Sequence, residues 1–136
     1  MVTTALTGAG GFGKTTLARM VRADGWVLEA FGNRVYWVTV GRDTGGAVLA
    51  GLVNGVIRRI SPQGPGTFTD TREAAEYLAG LLETGPRRLL VVDDVWSEQQ
   101  LAAFPVAGQC ARLVTTRIPV AWLHDQTDRT VASSPR

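Results

Sequence analysis

Gly8-Ala9-Gly10-Gly11-Phe12-Gly13-Lys14-Thr15 matches G-x-x-x-x-G-K-[ST] without a gap. The spacing has a physical purpose. Glycines let the backbone wrap closely and accept positive φ, so the amides from about Gly11 to Thr16 converge on one concavity that suits a polyphosphate. A helix starting near Lys14 adds the positive end of its dipole. Lys14, the chain's one lysine beside thirteen arginines, supplies a mobile point charge to the β- and γ-phosphates. The Thr15 hydroxyl is a natural Mg²⁺ ligand, and Thr16 reaches the α-phosphate. The plain alternative is a glycine-rich turn between a strand and a helix. A flanking β-prone run, Val2 to Thr7, and a helical pattern over Thr15 to Arg22 weigh against it.

Two further motifs carry chemistry. Asp93 follows the apolar run Leu89-Leu90-Val91-Val92, as expected of a Walker B strand, and its carboxylate would hold Mg²⁺ through a water. Asp94 beside it would orient or deprotonate a water at the γ-phosphate. A solvated turn or a helix cap is the ordinary reading of two adjacent acids, and the glycine loop tips the balance to metal. Arg117 ends the run Arg112-Leu113-Val114-Thr115-Thr116, where a guanidinium would sense the γ-phosphate. Alone it would be one more surface arginine.

The elements that must position these residues follow from patterning. Val35 to Val40 is β-branched and aromatic, a strand. Thr44 to Ile60 places Val48, Leu49, Leu52, Val53, Val56, Ile57 and Ile60 on a helical stripe. Gly51 and Gly55 weaken it by about 1 kcal/mol each, so packing must hold it. Ser61 to Thr69 is a loop. Asp70 or Thr71 caps a helix whose inner face is Ala75, Leu78, Leu81 and Leu82, stopped by Gly85-Pro86. Ser97 caps a short helix reaching Phe104. After Pro119, Val120 to His124 reads as a helical turn and Arg129 to Val131 as a clipped final strand. Alternating strands and helices predict a parallel sheet covered on both faces. In such sheets ligands bind beyond the carboxyl ends of the strands, where all three motifs fall.

Composition bounds the rest. At 136 residues, one domain is the natural count. Apolar residues are 45% and charged residues 19% of the chain, a globular balance that excludes a disordered tail. A net charge of +2 gives no footprint for nucleic acid, and the pairs Arg58-Arg59 and Arg87-Arg88 read as solvated helix ends. Cys110 is the only cysteine and His124 the only histidine, so an intrachain disulfide, a cysteine-based zinc site and His pairs or clusters are excluded. Cys110 reads as inert, His124 as exposed, and Trp37 and Trp96 as packing residues. No apolar run is long enough to span a membrane and no signal peptide is visible, which points to the cytoplasm.

Taken in order, Gly8 to Ala18, Val35 to Val40, Leu89-Leu90-Val91-Val92-Asp93-Asp94-Val95-Trp96 and Leu113-Val114-Thr115-Thr116-Arg117 resemble the NB-ARC domain of the STAND class of P-loop NTPases. The resemblance covers roughly residues 2 to 118 and leaves the tail from 119 to 136 uncertain. It implies a three-layer α/β fold with a parallel sheet in the order 5-1-4-3-2, the last strand truncated here. It implies an ATP/ADP loop formed by Gly8, Ala9, Gly10, Gly11, Phe12, Gly13, Lys14, Thr15 and Thr16. Mg²⁺ would be held by Thr15 and Asp93, and Lys14, Asp94 and Arg117 would act on the phosphates. The implied behaviour is a slow ATPase switch, closed with ADP and opened by ATP for assembly into an oligomer.

Three departures are visible. The adenine-contacting segment that precedes the first strand in this family is missing. So are the G-x-P motif and the helical and winged-helix domains that follow, and His124 lies too soon after Arg117 to be the winged-helix histidine. The chain is therefore expected to be a fragment of a longer protein. Two other readings stand beside the switch. One is a catalytically silent ADP-binding interaction domain. The other is an ATPase of the ParA/MinD type, which needs a second, signature lysine that this chain lacks.

Overall fold

The structure is a computed structural model, and it describes residues 2–7, 25–64 and 66–116. The glycine-rich segment 8–16, the expected helix over 15–22, Arg117, His124 and the expected final strand at 129–131 lie outside the described residues.

Four strands form one parallel sheet: β1 (Val2–Thr7), β2 (Val35–Thr39), β3 (Arg88–Val95) and β4 (Cys110–Thr116), in the spatial order β1-β4-β3-β2. This is the expected 5-1-4-3-2 order over the described strands. β4 takes the position between β1 and β3. Parallel neighbours need crossovers, and the helices supply them: α1 (Gly25–Phe31) before β2, α2 (Gly46–Ile60) and α3 (Thr71–Glu83) between β2 and β3, and α4 (Glu98–Ala102) before β4.

β3 is buried on both faces, which is why it reads as a continuous apolar run. Its alternate residues feed two cores. Leu90 and Val92 join Val114, Cys110 and the buried faces of α2, α3 and α4, while Leu89 and Val91 join Phe31, with Val35, Trp37, Ala111 and Leu113 packed against them. Both strands run further than their apolar cores suggested. β3 takes in Arg88 through Val95 and β4 begins at Cys110, because pairing continues wherever a neighbour offers a backbone, whatever the side chain.

α2 buries Leu49, Ala50, Val53, Asn54, Val56 and Ile57. Val48, on the expected stripe, is instead 66% exposed, since it lies at the edge of the stripe, on the helical row shared with half-buried Leu52 and exposed Arg59. Gly51 and Gly55 face open space, so packing of the opposite face does hold this helix. Asn54 is the polar member of that face. Its side-chain amide donates to the Phe68 carbonyl (2.7 Å) and its Oδ1 accepts from the Phe68 amide (3.0 Å), clasping the following loop to the helix.

α3 is capped by Asp70, whose carboxylate accepts from the Glu73 amide at 3.2 Å. Its buried stripe is Ala74, Leu78 and Leu82, at i, i+4, i+8. Ala74 thus takes the place expected for Ala75, and Leu81 is only partly buried. Gly108, at φ +58°, lies so close to the end of α3 that a Cβ would come within 2.6 Å of the Glu83 carbonyl oxygen and nearer still to that of Leu82. The backbone entering β4 is therefore pressed onto α3, and only glycine fits there.

α1 corresponds to nothing in the sequence reading. Its seven residues are too few to display a helical period, and it ends at Gly32 with φ +58°. Of the arginine pairs, Arg58-Arg59 is the expected solvated helix end, exposed in the last turn of α2, while Arg87-Arg88 departs from that expectation at Arg88. Arg59 reaches the Trp37 carbonyl at 2.9 Å. Arg88 opens a strand and donates to the last carbonyls of α3, those of Leu81 (3.4 Å) and Thr84 (3.1 Å). No helix among the described residues is long and apolar enough to cross a membrane.

Candidate functional site

The carboxyl ends of β2, β3 and β4 lie side by side, and there the regular ladder breaks. Val92 pairs with Val114, but the next pair is Val95 with Thr116. Two residues of β3, Asp93 and Asp94, therefore oppose the single Thr115 of β4. This is a β-bulge, a device that re-aims side chains at functional edges. Asp94 carries the extra turn at φ +64°, the one positive-φ residue other than glycine among those described. Aspartate tolerates that region better than most residues do, at some strain. In an unbroken strand two consecutive carboxylates would project from opposite faces.

Asp93 is 2% exposed. A buried carboxylate is costly unless hydrogen-bonded, and hydroxyls from both neighbouring strands meet this one. Thr115 donates to Oδ1 at 2.5 Å and Thr39 donates to Oδ2 at 3.3 Å. The Thr115 hydroxyl also accepts from the Asp94 amide at 2.7 Å. One side chain of β4 thus binds both members of the acidic pair. Thr116 ties to the same bulge, its hydroxyl donating to the Val95 carbonyl at 2.7 Å. On the other side, the amides of Val40 and Gly41 donate to the carbonyls of Asp93 (2.8 Å) and Asp94 (3.0 Å), carrying the pairing past the end of β2.

Asp94 is held by its side chain as well, because the indole N–H of Trp96 donates to its Oδ1 at 2.8 Å. Trp96 is therefore not only the packing residue expected of it. Its amide donates to Gln100 Oε1 at 2.7 Å. The Gln100 side-chain amide, buried under the loop that joins β2 to α2, donates to the carbonyls of Gly41 (2.8 Å) and Thr44 (2.9 Å). The Arg42 guanidinium lies 5.3 Å from the centroid of the Trp96 ring.

Of the residues singled out from sequence, Asp93 and Asp94 stand together at this edge. Gly8 to Thr16, including Lys14 and Thr15, and Arg117 lie outside the described residues. β1 fixes where the first of these motifs departs. Its last residue, Thr7, pairs with Thr116 of β4, one position beyond the threonine that grips the acids. Thr39, Thr115 and Gln100 were not anticipated. The repeated threonines at a strand end were the one available signal, and nothing marked Gln100. Among the described residues no group of three or more His, Cys, Asp or Glu side chains forms a ready metal cage. The donors present are all hard oxygens, the carboxylates of Asp93 and Asp94 and the hydroxyls of Thr39 and Thr115. Such a set fits Mg²⁺, which takes one or two carboxylates and keeps several waters.

Cys110, expected to be inert, is buried, and burial foremost pushes its thiol up to about 11, against the smaller opposing pull of the Arg88 and Arg112 charges and a backbone hydrogen bond at Leu90. Arg112 is the unexpected member of the core. It is 4% exposed, donates through Nη1 to the Phe104 carbonyl at 2.7 Å and leaves Nε without a partner. Burial lowers its pKa to about 10.

Comparison with known proteins gives the same reading as the sheet order and the acidic edge. The NB-ARC domain family matches residues 2–132. Apoptotic protease-activating factor 1 of Danio rerio is 31% identical over 118 residues, 81% of this chain and 9% of that protein. The Homo sapiens protein of the same name is 34% identical over 116 residues, again 81% and 9%. Disease resistance protein RGA2 of Solanum bulbocastanum is 37% identical over 115 residues, 80% of this chain and 11% of that protein. The chain thus spans about a tenth of the length of these relatives. With a match over nearly its whole length and a parallel sheet in the order of a P-loop NTPase, the chain belongs to the NB-ARC family.

Proposed function

We propose that the chain is the nucleotide-binding core of a regulatory switch, taking ADP or ATP with Mg²⁺ and hydrolysing ATP slowly. The observation that carries this reading is the bulged end of β3. There Asp93 and Asp94 are gathered onto one strand edge by hydroxyls of the flanking strands. The Gly8–Thr16 motif follows directly, in sequence, on the strand that pairs beside that edge. In this reading the loop amides, Lys14 and Thr16 hold the phosphates. Thr15 and Asp93 hold Mg²⁺, which neutralises charge on the β- and γ-phosphates. Asp94 orients the attacking water and Arg117 contacts the γ-phosphate.

The wider switch is proposed on the same footing. It comprises nucleotide-dependent assembly, packing against helical and winged-helix domains of a longer chain, and action in the cytoplasm without direct contact to nucleic acid. The relatives' names, an apoptotic protease-activating factor and a disease resistance protein, support a regulatory rather than a metabolic role.

Thermal melting with millimolar ADP or ATP and Mg²⁺ tests the binding step. A ligand that binds only the native state raises its stability, and Lys14→Ala should abolish the shift. No shift in the parent would overturn the reading. Phosphate release then separates turnover from silent binding. Release above that of Asp94→Ala supports the ATPase, and equal background release marks a silent ADP-binding domain.

A further inference from the structure

Asp94 combines a left-handed backbone with a side chain that must point one way to be useful. At φ +64° its backbone is in a sparsely populated well, so the direction of the carboxylate depends on what binds it. Two residues on, the Trp96 indole N–H grips Oδ1 at 2.8 Å. Trp96 is fixed in its turn. Gln100 takes its amide at 2.7 Å and is itself anchored to the Gly41 and Thr44 carbonyls at 2.8 and 2.9 Å, in a residue only 4% exposed. The Arg42 guanidinium on the ring holds the indole from the same loop. Packing alone would ask nothing of the indole nitrogen, since phenylalanine would fill much of the same space.

We propose that Trp96 is a positioning residue for ATP hydrolysis, its indole N–H fixing the Asp94 carboxylate in the orientation that aims the attacking water, with Gln100 as the anchor. This rests on the ATPase reading above. Orientation secured before the reaction is worth rate, and small misplacements lose much of it. The nucleotide's grip comes from the glycine loop and Lys14, so loss of the indole N–H acts on turnover and spares binding.

The test is Trp96→Phe, which keeps an aromatic ring and removes the donor. The expected result is a kcat lowered about tenfold, with KM and ADP affinity within about twofold of the parent. In an Asp94→Ala background the same substitution should change nothing further, because its effect passes through the carboxylate. An unchanged kcat, or an additional loss in that background, overturns the proposal. A second measurement needs no turnover. The chain's four tryptophans give four indole N–H signals in a proton–nitrogen correlation spectrum, and Asp94→Ala should move that of Trp96 upfield. An unmoved signal overturns the hydrogen bond itself. If the parent hydrolyses ATP no faster than Asp94→Ala, the ATPase reading falls and the positioning role with it. Parental turnover retained in Trp96→Phe removes the positioning role alone.

Discussion

Thr115 on β4 donates its hydroxyl proton to Asp93 and accepts the amide proton of Asp94 on β3. A single hydroxyl therefore serves as both latch and spacer for two adjacent acids. Replacing it separates these functions from the bulk of the residue. Thr115→Val preserves the β-branched shape and takes from a carboxylate that is 2% exposed the hydroxyl donor 2.5 Å from its Oδ1. The expected loss of stability is about 1–3 kcal/mol, read as a lower midpoint in urea. Thr115→Ser, which restores the hydroxyl, should recover most of it.

Arg112 invites the opposite experiment. Its guanidinium is buried with one hydrogen bond to a carbonyl, an unpartnered Nε and, among the described residues, no carboxylate in ion-pair contact. Replacing buried charge with an apolar side chain of similar length is frequently neutral or stabilising. Arg112→Met should therefore raise stability by about 1 kcal/mol, even after the Phe104 carbonyl loses its donor. A fall of similar size in chemical denaturation would contradict this account of the core.

Gly51 and Gly55 lie inside α2 with nothing within 4 Å of a Cβ placed on either. Alanine there fills open space and restricts the unfolded chain. Each of Gly51→Ala and Gly55→Ala should add roughly 0.5–1 kcal/mol, and the two should be close to additive in a calorimetric melt.

The thiol of Cys110 ties stability to alkaline pH. Its pKa is raised from 9.0 to about 11 in the folded chain, chiefly by burial. The folded state keeps a proton that the unfolded state releases. This contribution is fully present below the unfolded value and is lost as pH rises through the folded one. Between about pH 8 and about pH 11 the parent should lose roughly 2 kcal/mol that Cys110→Ala does not lose. The same burial predicts slow reaction with a disulfide reagent until the chain is unfolded.

The scaffold of the site was legible because its signals are local. β-Branched runs gave β2 and β3, Asp70 and Ser97 announced their caps, and alternation of elements gave the parallel sheet. What escaped depends on contacts between distant segments. The bulge at Asp93–Asp94 exists because β4 offers one residue where β3 has two. Gln100 matters because the loop after β2 places carbonyls around it. Arg112 is buried against the habit of its residue type, simply by alternating with Ala111 and Leu113 on a central strand. α1 was invisible because seven residues carry too little pattern.

The irregularity in β3 also has a bearing on how the chain tolerates length changes. Deleting either aspartate would bring Val95 into step with Thr116 and leave a smoother ladder between β3 and β4. Such a deletion would remove more than an acidic group, because it would erase the offset that lets the remaining one share an edge with its neighbours. The sheet is less uniform than its backbone would allow, and the surplus residue sits where the proposed reaction needs an exception.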